Sequence, residues 1–191
     1  GRRDHRMTEW FDSHCHVDEE AFDADRDEAL ARMTEYGVTR YAVIGSDMDT
    51  SRRAIRFARE HTGAIAVGGI HPHEAKGFRE GDLAEIAEWY RQGKIGAIGE
   101  IGLDFYYDHS PRDVQREVCL KQMELAWEIG APVAYHIRDA HAEMLELMKS
   151  MKTKLTGGII HCFSGSAEIA KEYLKLGYYI SFAGPLTFKK A

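Results

Sequence analysis

Short apolar runs alternate along this chain with longer segments whose apolar residues recur at helical spacing. The runs occupy 9–14, 40–44, 65–70, 95–99, 132–137, 158–163 and 178–182. Each is rich in Val, Ile, Ala or aromatic residues and bounded by Gly, Pro or Asp. That pattern predicts strands of a parallel sheet, apolar on both faces. Between them, 25–36 carries Leu30 and Met33 on one face and stops at Gly37. Ser110-Pro111-Arg112-Asp113 predicts a helix start, with Ser110 as cap, Pro111 in the first helical position and an acid in the first turn. That helix is expected to reach Ile129 and end at Gly130. Ser166 opens another, with Ile169, Tyr173 and Leu176 at i, i+4, i+7 before Gly177.

The alternation predicts seven strands with six or seven helices, and no composition break divides them. One domain over 7–191 follows, behind a leader or vector remnant at 1–6, with Met7 as the start. A doubly wound sheet competes, but its glycine-rich nucleotide fingerprint is missing. The expected fold class is α/β, a TIM-type (β/α) barrel, because chemically useful residues stand at the C-terminal ends of several strands. A closed barrel needs eight strands and about 250 residues. The expectation is therefore a barrel truncated after about seven strands, the eighth absent.

Composition narrows the class. The chain has 191 residues, 44% hydrophobic and 29% charged, as expected of a soluble globular protein. No apolar run approaches the ~18 residues of a membrane span, and no apolar stretch follows Arg2-Arg3 to make a signal peptide. Cys15, Cys119 and Cys162 are an odd set without paired spacing, which points to a reducing, cytoplasmic setting. A net charge of −6 disfavours a protein that coats nucleic acid through a broad basic face.

Candidate chemistry gathers at the strand ends. In Asp12-Ser13-His14-Cys15-His16, His14 and His16 share one face of a strand and can hold a divalent metal; taken alone such a pair is more often core or turn histidines. Glu100 follows an apolar run, where an unpaired carboxylate would be costly. It is either a salt-bridged strand-end acid or a carboxylate bridging two metals. His136 and His161 each close an apolar run, and any one such histidine is ordinarily a core residue bonded to backbone. Four strands delivering His or Glu at the same end is what carries the metal reading.

These motifs resemble the TatD family of metal-dependent deoxyribonucleases, within the amidohydrolase-like barrels. The matching stretches are Phe11-Asp12-Ser13-His14-Cys15-His16, Gly69-Ile70-His71-Pro72-His73 and Gly99-Glu100-Ile101-Gly102-Leu103-Asp104. His136-Ile137-Arg138-Asp139-Ala140, His161-Cys162-Phe163-Ser164-Gly165 and Tyr179-Ile180-Ser181-Phe182 with Gly184 match as well. The resemblance implies a two-metal phosphoesterase in which His14 and His16 bind the first ion, His136 and His161 the second, and Glu100 bridges them. Glu100, His136 and His161 would be its catalytic centre. Family members carry a further aspartate in a Thr-Asp-Ser-Pro-like stretch at the eighth strand, and this chain shows no such stretch. A piece without it is expected to be inactive or nearly so.

Other residues surround this set. His71 and His73 flank Pro72 as two polar residues of a rigid turn, or, by the resemblance, as phosphate or substrate contacts. Arg138 offers a fork suited to a phosphate oxygen, against a salt bridge with Asp139 or a cap acid. Asp104 orients a ligand histidine or caps its loop. Phe105-Tyr106-Tyr107 can stack on unpaired bases or pack on a neighbouring loop. His5, His61, His109 and His141 are expected on the solvated surface.

The leading expectation is a hydrolase of phosphodiester bonds using two divalent metal ions, Mg2+, Mn2+ or Zn2+. Its substrate would be single-stranded DNA or DNA 3′ ends, trimmed 3′→5′ as the resemblance implies, with no membrane and no obligate protein partner. Two alternatives stay open: an ester or amide hydrolase, such as an aminoacyl-tRNA deacylase, and an inactive binding module. Histidine-rich ligation suits zinc, manganese or nickel, whereas magnesium prefers oxygen.

Overall fold

The structure is a computed structural model and describes residues 41–151, 158–161, 167–175 and 179–180. Within them, β1 (Tyr41–Ile44) leads through α1 (Met48–Glu60) to β2 (Ala64–Gly68). A 3-10 turn (Pro72–Gly77) and α2 (Glu80–Arg91) precede β3 (Ala97–Asp104), and α3 (Arg112–Ile129) precedes β4 (Val133–Arg138). The described chain continues with α4 (His141–Ser150), β5 (Gly158–His161), α5 (Ala167–Lys175) and β6 (Tyr179–Ile180). The predicted run 9–14 and helix 25–36 lie outside the described residues, as do Ser166, Leu176 and Gly177.

All pairs among the described strands are parallel, and their order in the sheet is β1-β2-β3-β4-β5-β6. Each strand lies beside its chain neighbour. A doubly wound sheet would reverse its order at a switch point, and among the described strands none does. The fold is therefore an α/β half-barrel.

Alternation along the strands sorts the core into two layers. Tyr41, Val43, Ala66, Ile98, Val133, Tyr135 and Ile137 join the helix residues Ala54, Phe57, Ile86, Cys119, Met123, Met144 and Met148 in one buried cluster. Ala42, Ile44, Val67, Ala97 and Ala134 form a second cluster of mostly small residues on the other face. Ile86, Ile98, Ile101, Leu103 and Met123 are fully enclosed, each contributing about 1.5–3 kcal/mol by leaving water.

Local chemistry sets the helix ends. Asp47 accepts from the Thr50 N–H at 2.8 Å while the Thr50 hydroxyl accepts from the Asp47 N–H at 3.0 Å, a reciprocal cap that starts α1. Gly45, just upstream, has no room for a side chain: a Cβ would meet the Ser51 backbone at 2.4 Å. The helix expected from 110 ends as predicted, with Gly130 left-handed at φ 70°. Its start differs. Pro111 stands at the cap position in extended conformation, and Arg112 is the first helical residue. Ser110 instead donates to the His73 carbonyl and accepts from the Lys76 N–H, so its hydroxyl ties the 3-10 turn to the start of α3.

Candidate metal centre

The inner layer of the sheet leads straight to the site. Ala134 belongs to that layer, so His136 and Arg138, two and four residues on, share its face of β4. Beside it, the pairing of β3 with β4 shifts register between Ile98 and Ile101. This irregularity lets Ile98, Ile101 and Leu103 all enter the helix-facing core, a parity strict alternation would forbid. Glu100 falls within the irregularity and reaches the site. The sequence placed Glu100 after the strand; the strand runs on to Asp104, so Glu100 lies inside it. The register shift accommodates a carboxylate that an apolar run ends on.

Close apposition of β3 and β4 depends on Gly102, at φ 148°, where a Cβ would meet the His136 carbonyl at 1.9 Å. After β2, the chain at 69–71 is pinned from three sides. The Ser51 hydroxyl accepts from the Gly69 N–H at 3.1 Å and donates to the Gly69 carbonyl. Gln122 accepts from the Ile70 N–H at 2.8 Å and donates to the Ile70 carbonyl at 3.1 Å. The His71 N–H donates to the Ser46 carbonyl at 2.8 Å. Seven residues before Gln122, Gln115 does the same for Asp104, accepting from its N–H at 2.8 Å and donating to its carbonyl at 3.1 Å.

These supports bring His71, Glu100 and His136 together, one donor atom of each within 4.8 Å of the others. Glu100 Oε1 is 3.7 Å from His136 Nδ1 and 4.0 Å from His71 Nε2. Glu100 is only 5% exposed, and burial pushes its carboxyl up to about 8. Asp104, also buried, behaves oppositely. Burial alone would raise it, but the Tyr107 N–H and the side chains of His136 and His73 outweigh that and hold it near 2. An ionised Asp104 can only accept, so His73 Nε2 at 2.8 Å and His136 Nε2 at 2.9 Å both donate to its Oδ2. Burial in turn lowers His136 against the pull of Asp104, keeping the ring neutral. A neutral His136 with its hydrogen on Nε2 presents the bare Nδ1 toward Glu100.

His71 takes the same tautomer but turns its other nitrogen toward Glu100. Its Nδ1 accepts from the His73 N–H at 3.1 Å, so in the neutral ring Nε2 carries the hydrogen and faces Glu100. The donor set fits a divalent cation at Glu100 and His136. Positive charge there offsets the burial of the carboxylate, and the bare imidazole nitrogen is the ligand such an ion takes. His73, Asp104 and His136 also lie close enough to hold an ion, but their spacing is that of hydrogen bonds, and Asp104 orients both rings.

The sequence-predicted residues divide clearly. Glu100, His136, His71, His73, Asp104 and Arg138 meet at one end of the sheet. Position 161 stands beside 136 in register, its side chain outside the description; His14 and His16 lie outside the described residues. Arg138 takes neither the Asp139 bridge nor a cap acid: its guanidinium lies 4.1 Å from the Tyr106 ring centre. Phe105 is buried under Arg112, while Tyr106 and Tyr107 are exposed. His109 is exposed as expected, although its ring meets His73 edge-on at 4.7 Å. His141 departs from the surface expectation: it is half-buried, which lowers its pKa. Ser51, Gln115 and Gln122 were missed. Their only signal is two glutamines two turns apart on the face of α3 that also carries Cys119 and Met123.

Known proteins share this pattern. The family described as TatD related DNase matches residues 11–191. The uncharacterized metal-dependent hydrolase YabD of Bacillus subtilis is 42% identical over 181 residues, 95% of this chain and 71% of that protein. The 3'-5' ssDNA/RNA exonuclease TatD of Cronobacter sakazakii is 35% identical over 174 residues, 91% of this chain and 66% of that protein. The crystal structure of the TatD homologue YJJV from Escherichia coli superposes with a TM-score of 0.81 at 29% identity, covering 90% of this chain and 67% of that one. The chain thus spans about two thirds of the length of these relatives.

Proposed function

Because the chain belongs to the TatD-related DNase family, we propose that it is a divalent-metal-dependent hydrolase of phosphodiester bonds. Its substrate in this reading is single-stranded DNA, shortened from the 3′ end. The observation that carries it is the convergence of His71, Glu100 and His136 from three neighbouring βα segments, after β2, within β3 and near the end of β4. Such convergence at the C-terminal mouth is where barrel enzymes work.

Glu100 and His136 would hold metal together with His161, and His14 and His16 would complete the centre as the family resemblance implies. Two divalent ions, Mg2+, Mn2+ or Zn2+, would activate water and offset charge on the attacking and leaving oxygens. The chain's own groups do the rest. Asp104 fixes His136 with Nδ1 toward Glu100. His71 directs an N–H at the same point, where it can donate to a phosphate oxygen. Arg138 adds a fork for a second phosphate oxygen. The reading treats 7–191 as one barrel domain working in the cytoplasm, which fits the buried free thiol of Cys119. Among the described residues no helix is long and apolar enough to cross a membrane.

The test incubates a version of the chain extended to the length of its relatives with a 5′-labelled single-stranded oligonucleotide, with and without EDTA, beside Glu100→Gln. The expected result is a metal-dependent ladder shortening from the 3′ end, with kcat reduced about a hundredfold or more in the variant. Bound metal without cleavage of any oligonucleotide would overturn the phosphodiesterase reading in favour of an ester or amide substrate.

A further inference from the structure

Tyr106 and Tyr107 follow β3 directly and are 57% and 50% exposed, the highest values among the large apolar side chains described. Single exposed aromatics are ordinary, but these two are held rigidly. Their backbone N–H groups donate to Asp104 Oδ1 at 3.1 and 3.0 Å. The rings meet edge to face at 4.7 Å, and Tyr107 stacks on His109 with the planes 10° apart. The Arg138 guanidinium lies 4.1 Å from the Tyr106 ring centre and 5.0 Å from that of Tyr107. No carboxylate among the described residues neutralises Arg138. The other oxygen of Asp104 holds His73 and His136, so one carboxylate fixes the aromatic pair relative to the candidate metal centre.

We propose that Tyr106, Tyr107 and Arg138 form a seat for one unpaired nucleotide, the base on the exposed Tyr106 ring and its phosphate on the Arg138 fork. This rests on the nucleic-acid reading above. A tyrosine already locked by its backbone loses little freedom on binding. Stacking accepts any base, because every base has a π face. A base inside a duplex has both faces covered, so the seat selects single strands without reading sequence. Arg138 stacked on tyrosine keeps its in-plane donors free for phosphate.

The test uses the 191-residue chain in EDTA, where metal-dependent cleavage cannot run. Fluorescence anisotropy compares a short labelled oligothymidylate with the same strand made of abasic residues. The base-bearing strand should bind about tenfold tighter, within what one stacked base contributes. Tyr106→Ala should erase that difference and Tyr106→Phe should keep it. Arg138→Gln should weaken both strands alike and flatten the salt dependence by about 0.7 in log–log slope. Equal binding of the two strands by the unaltered chain, or binding of neither, overturns the seat. Failure of cleavage by the version extended to the length of its relatives with metal present, while the base-dependent binding of the 191-residue chain persists, removes the phosphodiesterase reading and leaves the seat standing.

Discussion

Asp104 divides its two oxygens between different tasks. Oδ1 receives the N–H groups of Tyr106 and Tyr107, and Oδ2 receives the imidazole N–H of His73 and His136. An asparagine has one acceptor oxygen and an NH2 that would face donors. Asp104→Asn should therefore lower Mn2+ affinity about 10–100-fold by releasing the His136 ring. It should also destabilise the fold by about 1–3 kcal/mol. Titration calorimetry and urea unfolding read the two separately, and unchanged metal affinity would show that His136 is oriented without it. Cys119 makes a second residue-scale case. Burial pushes its thiol from the usual 9 up to about 12. Between those values the folded chain keeps a proton that the unfolded chain releases, so stability falls as pH rises through that window. Below it, alkylation of Cys119 should pass through the opened fold and run far slower than in the unfolded chain at every pH between about 7 and 9, as peptide mapping after iodoacetamide would show. Glu100 and His136 were legible because a charged or imidazole group closing an apolar run demands a reason. The His73–Asp104 bond was not, since its partners lie 31 positions apart and neither motif names the other.

Helix α3 is the element that organises the site from behind. Gln115 and Gln122 are two turns apart on its buried face, and each satisfies both backbone groups of a residue beside the donor group. Gln122→Ala would strand the N–H and carbonyl of Ile70 in the core, at about 1–3 kcal/mol per group. Urea unfolding should show that loss, and Gln122→Glu should recover only part of it, because a carboxylate cannot donate to the carbonyl. Apolar runs made β1, β2 and β4 readable almost to their ends. They under-read β3, because a run is judged to stop at a charge, whereas here a register shift carries the strand past Glu100 to Asp104. Ser110 misled for a related reason: a serine before proline has cap chemistry, yet its hydroxyl is engaged by His73 and Lys76, a contact no local pattern contains.

At the scale of the molecule, the candidate centre joins segments that follow β2, lie within β3 and end β4, so an ion there binds the folded arrangement alone. Saturation at about 100 times Kd should add about 2.7 kcal/mol, or about 5–10 °C in Tm for a domain of this size. Differential scanning fluorimetry with Mn2+ or Zn2+ would show it, and Glu100→Gln should abolish the shift. Sequence alternation conveyed the parallel architecture because each βα unit repeats the same burial problem. The order of the sheet, β1 through β6 in chain order, carries a further consequence for biosynthesis. As the nascent polypeptide leaves the ribosome, each described strand after β1 emerges to find the strand it pairs with already made, so this part of the wall can be laid down vectorially. The donor group cannot follow that schedule gradually. Until His136 clears the exit tunnel Glu100 has no imidazole beside it on β4, so capture of an ion by the proposed pair would be a late event in the life of the new chain.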